Sequence, residues 1–196
     1  RLLLNCLSPM NHNCPLINKD IGLLDPNSYT EHPLQCKHCG APLFHLRHEN
    51  VLYALARSLR LAGIPNTENP RDMQLPGNSR GGPDLLVWTD KCYAADVEIC
   101  KDKAEETYTD SVCAAVSKKL RTYATFADLS GCDIVPVVMS IYGECCKEMR
   151  SAIHSFALYS RTSSLENDAI NHMQAELIRG MNLGRQRLHA RGTVWM

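Results

Sequence analysis

Two apolar runs separated by only three polar residues leave the chain little alternative to a β-hairpin between Leu85 and Cys100. Leu85-Leu86-Val87-Trp88 is continuously apolar, Thr89-Asp90-Lys91 has the composition of a turn, and Tyr93 to Cys100 alternates. Side chains along a strand project to opposite faces in turn, so Ala95, Val97 and Ile99 share one face and Asp96, Glu98 and Cys100 the other. The flanking segments have helical or strand patterns that can cover such a hairpin. From His48, Val51, Leu52, Leu55 and Leu59 recur at helical spacing, with Gly63 and Pro65 as a stop. Asn66 to Gly82 reads as a loop. Asp110 to Leu129 carries the stripe of an amphipathic helix, and Ile134 to Ile141 reads as a strand that Pro136 confines to an edge. Met149, Ile153, Phe156 and Ala157 mark another helix and Leu165 to Met181 a last one. Helix, hairpin, helix, strand and helix in that order predict an α/β fold with a mixed central sheet flanked by helices.

A chain of 196 residues with 44% apolar content can build one such core and a small appendage. The expected division is an irregular segment over 1–47, a core over 48–160, and a C-terminal helix with a basic tail over 161–196. No apolar run approaches the roughly 20 residues of a membrane span, and the N-terminus lacks the layout of a secretory signal. A soluble intracellular protein with no membrane partner is therefore expected. A chain beginning at Arg1 is also expected to be a piece of a longer one, with further nucleic-acid contacts upstream. The formal net charge is zero, which by itself gives no hint of a polyanionic partner. Charge is unevenly spread, however: Arg179, Arg185, Arg187 and Arg191 make the C-terminal stretch basic, and a local patch suffices to meet phosphates.

The ten cysteines are scattered, apart from the Cys36-x2-Cys39 pair and the adjacent Cys145 and Cys146. That distribution suits metal ligation plus buried thiols, such as Cys100, Cys113 and Cys132, better than a disulfide framework. Cys36-Lys37-His38-Cys39-Gly40 has the spacing and trailing glycine of a zinc knuckle, and His45 and His48 lie within reach. Cys36, Cys39, His45 and His48 would together close a tetrahedral structural Zn²⁺ site. Cys6, His12, Cys14 and His32 could replace a histidine or form a second site.

Asp84 stands at the entry to the first strand of the hairpin, and Asp96 and Glu98 lie in the second, so pairing the strands gathers three carboxylates. Acids so gathered repel one another unless a cation joins them. A hard divalent ion such as Mg²⁺ or Mn²⁺ prefers oxygen ligands and can activate a phosphate toward attack by water. Lys118 and Lys119 sit mid-helix after the hairpin, and Tyr123, four residues beyond Lys119, shares its face. Lysine near the carboxylates would supply charge at a phosphate or a base for water. Each residue also has a plainer role: Asp84 as a turn entry, Asp96 and Glu98 as a solvent face, Lys118, Lys119 and Arg121 as a solvated helix face, Tyr123 as core with its hydroxyl at the rim. Glu49, near a helix start, is either a dipole partner or an auxiliary metal ligand.

The succession Arg80-Gly81-Gly82-Pro83-Asp84, Asp96-Val97-Glu98 and Lys119-Leu120-Arg121-Thr122-Tyr123 resembles the PD-(D/E)XK restriction-like endonuclease domain of site-specific non-LTR retrotransposon proteins. The Cys-x2-Cys pair followed by Arg47-His48 is similar too, and the likeness covers roughly 34–160. It departs at two points. Glu98 and Cys100, not lysines, lie two residues after the acids, and Tyr53 stands where the family places a final cysteine. The resemblance implies Asp84, Asp96, Glu98, Lys119 and Tyr123 as catalytic residues, the three acids as Mg²⁺ or Mn²⁺ ligands, and Lys119 as a lysine that has migrated to the helix. It also implies a double-stranded DNA target nicked to prime a linked reverse transcriptase, with element RNA as a further partner, in the nucleus. The alternative is a non-catalytic module on a nuclease fold that positions nucleic acid for another domain.

Overall fold

The computed structural model describes residues 37–70, 82–100, 108–162 and 164–192, with side chains described for 44–70, 82–100, 110–162 and 164–180. It is an α/β structure. Helix α1 (Lys37–Leu61) leads into strand β1 (Asn66–Glu68), the hairpin β2 (Leu85–Trp88) and β3 (Cys92–Cys100), helix α2 (Tyr108–Ser130), strand β4 (Asp133–Ser140), and helices α3 (Lys147–Ala157) and α4 (Leu165–Gly192). The sheet runs in the order β1-β2-β3-β4, with β1, β2 and β3 antiparallel in succession and β4 parallel to β3. A parallel neighbour needs a crossover, and α2 is that crossover. Pro136 does lie on an edge strand, where a missing N–H costs no ladder bond on the open side.

Three expectations are corrected. The first helix opens at Lys37, not His48, so the irregular segment assigned to 1–47 is helical over its last part, including Cys39 and Gly40. Asn66–Glu68, expected to be loop, is strand β1; Asn66 pairs with Val87 and donates its side-chain amide to Ala56 O and Ile64 O at 3.1 Å each. The C-terminal helix packs into the core, where Leu165, Ala169, Ile170, Met173 and Leu177 join Leu52, Leu55 and Leu59 of α1. Cys113 is exposed, whereas Cys100 and Cys132 are buried as expected.

The first helix ends by chain geometry as well as composition. Gly63 adopts φ +81°, Ile64 N–H reaches Leu59 O at 2.9 Å and Gly63 N–H reaches Arg60 O at 3.0 Å. This is the Schellman arrangement, which satisfies the last carbonyls and favours glycine at the left-handed position. It turns the chain directly into β1. On one side of the sheet Leu85, Val87, Ala95, Val97, Val135 and Val137 join the large cluster with α1, α3 and α4. On the other, Leu86 and Ala94 meet Tyr123 and Phe126 of α2. The hairpin is thus covered on both faces, and α2 lies over the strand positions that carry the acids. Among the described residues, no helix is long and apolar enough to cross a membrane.

Candidate active site

Strand register brings the acids together. Leu85 pairs with Ala95, so one step further along the antiparallel ladder Asp84 lies opposite Asp96. The ladder stops at Leu85, and the Val97 N–H, which points toward β2, finds the Asp84 carboxylate in place of a backbone carbonyl, at 2.7 Å from Oδ2. Asp84 is therefore anchored to the strand beside it. Glu98 follows Asp96 on the same face, two residues along β3.

Helix α2 supplies the counter-charges. Lys119 and Tyr123, one turn apart, both reach down to β3. The Lys119 ammonium forms an ion pair with Asp96 Oδ2, lies 3.4 Å from Glu98 Oε2, and donates to Val97 O at 3.3 Å. Lys118, more exposed, reaches Glu98 Oε1 at 3.3 Å. The Tyr123 hydroxyl lies 2.8 Å from Asp96 Oδ1 and 2.9 Å from Gly82 O, so its single proton is shared between two acceptors. Asp96 is buried at 6% exposure, not on a solvent face, and Tyr123 is buried as well. The buried Asp96 Oδ2 has the Lys119 ammonium as its ion-pair partner.

The third element is α1, which contributes His48. Its Nε2 lies 3.0 Å from Asp84 Oδ2 and its Nδ1 lies 3.3 Å from Glu49 Oε1. His48 was expected at zinc, and spacing alone could not connect two residues 36 positions apart. One partial sequence signal was available: His48 precedes Val51, Leu52, Leu55 and Leu59 at helical spacing, which puts its side chain on the core-facing side of the helix without saying what it meets there. Glu49 is no dipole partner, since it lies three turns into the helix that opens at Lys37.

These contacts divide the carboxylates electrostatically. Burial pushes the Asp96 carboxyl up to about 6, with the Asp84 charge adding to it and Lys119 and Tyr123 opposing. Burial acts on Asp84 in the same direction, but the hydrogen bond and charge of His48, the Val97 amide and a hydrogen bond with Asp96 overcome it and hold that carboxyl low. The hydrogen bond to Asp84 raises His48 despite its burial. Burial would lower Lys119, yet Asp96 and Glu98 raise it. Tyr123 is raised by burial and by Asp96. One carboxylate is firmly ionised and its neighbour is poised near neutrality, a separation that acid–base sites use.

Of the expected zinc ligands, the structure describes the side chains of His45 and His48. Cys36 lies outside the described residues, as does the side chain of Cys39. His45 is 80% exposed, 3.9 Å from Glu49 Oε1. Both ring nitrogens of His48 face carboxylates. Among the described residues, no three His, Cys, Asp or Glu side chains are arranged to hold a metal ion. Around the acids, that position is taken by the protein's own cations, His48 on Asp84 and Lys119 on Asp96 and Glu98. The donor set is nonetheless all oxygen, and two of its carboxylates are close enough for one to disfavour ionisation of the other. That chemistry suits a hard divalent cation. The chain matches no protein-family model, and no curated protein matches it.

Proposed function

We propose that the protein is a divalent-metal-dependent endodeoxyribonuclease of the PD-(D/E)XK type, which nicks double-stranded DNA by phosphodiester hydrolysis. The observation that carries this reading is the convergence of Lys119 on Asp96 and Glu98, from a helix separate in sequence, beside Asp84. A simple solvated helix face would leave Lys119 in water; it is 15% exposed.

Asp84, Asp96 and Glu98 would hold Mg²⁺ or Mn²⁺. Such an ion supplies positive charge at the phosphate and makes water a better nucleophile. The protein's own groups do the rest. Asp84, fixed by the Val97 amide, stays ionised and presents a constant negative charge. Asp96, held by Tyr123, can accept or release a proton near neutral pH. Lys119, fully charged, stabilises the extra negative charge of the pentavalent phosphate. Tyr123 positions Asp96 and does not act as an acid, because its own proton is held more tightly than that of free tyrosine.

The finer parts of the reading rest on the family resemblance. They are a role in priming a linked reverse transcriptase, an element RNA partner and a nuclear location; structural Zn²⁺ on Cys36, Cys39, His45 and His48 rests on spacing. A second reading, a nucleic-acid-positioning module without catalysis, is favoured by the internal ion pairs that already neutralise the acids. Supercoiled plasmid incubated with the protein and Mg²⁺ or Mn²⁺ separates the two. Nicking is expected, with a fall of roughly 100-fold or more in Lys119→Ala and loss in Asp84→Ala. Asp84→Asn, which keeps an acceptor for the Val97 amide, controls for folding. Nicking undiminished in these variants would remove the active-site assignment, and DNA binding without nicking by the wild type would favour the module.

A further inference from the structure

We propose that His48, oriented by Glu49, is a positioning residue of the acidic site and not a zinc ligand. The inference rests on the nuclease reading and adds a second layer from α1. Asp84 Oδ2 receives two donors from different elements, the Val97 amide at 2.7 Å from β3 and His48 Nε2 at 3.0 Å from α1. With Oδ2 so loaded, Oδ1 is the oxygen left to share with Asp96 or a cation. A carboxylate at the end of a ladder, after Pro83, would otherwise rotate freely about its side-chain bonds. Two donors on one oxygen hold it in a single orientation.

Glu49 in turn fixes the ring. Its Oε1 lies 3.3 Å from His48 Nδ1, so the imidazole is held between two carboxylates, one at each ring nitrogen. Carboxylate, imidazole and carboxylate in series form the kind of outer shell that orients a ligand of a metal ion. Geometry opposes the zinc assignment for the same reason: an imidazolium that donates one N–H to Asp84 and the other to Glu49 has no lone pair left for a zinc ion. His48 also lies on the buried stripe of α1 with Leu52 and Leu55, which turns it toward the sheet.

The test uses the full chain and measures Mn²⁺ affinity directly, by titration calorimetry, alongside zinc content and the Mn²⁺ dependence of plasmid nicking. In His48→Ala, Mn²⁺ affinity is expected to fall roughly 10- to 100-fold, and half-maximal nicking to move to higher metal by a similar factor. Bound zinc should be unchanged. His48→Gln, which restores an N–H donor toward Asp84, is expected to recover part of the loss. Glu49→Gln, at a half-exposed position with little bearing on folding, should show a smaller decline of the same kind. Wild-type Mn²⁺ affinity in His48→Ala and Glu49→Gln, or loss of a zinc equivalent in His48→Ala, would overturn the proposal and leave the nuclease reading intact. Absence of Mn²⁺ binding by the wild type would instead overturn the metal site and this inference with it.

Discussion

Asp96 concentrates the tension of the site in one side chain. It is buried at 6% exposure, faces the charge of Asp84, and is relieved by Lys119 and Tyr123 without being restored to the ordinary carboxylate range. A carboxyl that sits at about 6 when folded and near 3.8 when unfolded binds more protons in the folded state between those values. Stability must then fall as pH rises through that window, with no further change from this group above it. The size is at most about 3 kcal/mol, since each tenfold gain in proton affinity is worth about 1.4 kcal/mol. Asp96→Asn removes the titration. In metal-free buffer its unfolding free energy should therefore be flatter than the wild type's from about pH 4 to 6, whatever constant offset the loss of the Lys119 pair introduces. Urea unfolding of both proteins across that range checks it. Equal slopes would mean that Asp96 is ionised as easily in the folded chain as in the unfolded one.

At the scale of elements, the junction of α1 and β1 sets where the sheet begins. Gly63 at φ +81° closes the helix and turns the chain so that Asn66 can pair with Val87. A Cβ there would be strained by the backbone conformation and would come within 3.1 Å of the Arg161 side chain, which is flexible enough to move. Gly63→Ala should cost about 1 to 2 kcal/mol in urea unfolding and leave the contacts of Asp96 and Glu98 with Lys119 and Tyr123 unchanged, since those are made between β3 and α2. The same junction marks what could be read from sequence. The hairpin, α2 and β4 were legible because β3 alternates with a period of two, α2 repeats at three and four, and β2 and β4 are short continuous apolar runs. Strand β1 was not, because Asn66-Thr67-Glu68 carries no apolar residue and is ordered by its partner β2 and by the amide contacts of Asn66. The start of α1 was hidden by the Cys-x2-Cys spacing, which suggested a knuckle where the backbone is helical from Lys37. The three acids are gathered by reading Leu85 to Cys100 as a hairpin, and Tyr123 shares a face with Lys119 by helix spacing, whereas the choice of Lys119 as the lysine over the acids came from the family resemblance. His48 needed knowledge of how α1 lies across the sheet, and no local pattern contains that.

The core of the whole molecule is completed by its C-terminal helix. Leu165, Ala169, Met173 and Leu177 of α4 are 2% exposed or less and pack in one cluster with α1 and the sheet. At Gly180 the two helices approach so closely that a Cβ would stand 3.4 Å from the Arg47 Cα. The contacts run antiparallel, from Ser58 with His172 at 3.1 Å to Asn50 with Glu176 O at 3.2 Å, so α4 braces α1 through the turn that carries His48. Removing 161–196 would expose the apolar faces of α1 and α3 together, and each fully buried large side chain uncovered forfeits roughly 1.5 to 3 kcal/mol. Leu165, Met173 and Leu177 alone amount to roughly 5 to 9 kcal/mol, comparable with the roughly 5 to 15 kcal/mol by which domains of this size are stable, and the partners they cover add to it. A chain ending at Ser160 should accordingly lose cooperative thermal unfolding, and with it any metal binding at Asp84, because the arm that orients this carboxylate comes from α1. A truncated chain that still unfolds cooperatively and binds Mn²⁺ as the whole chain does would show that the sheet and α2 form the site unaided. In that case the brace from α4 through α1 to Asp84 would have no bearing on function.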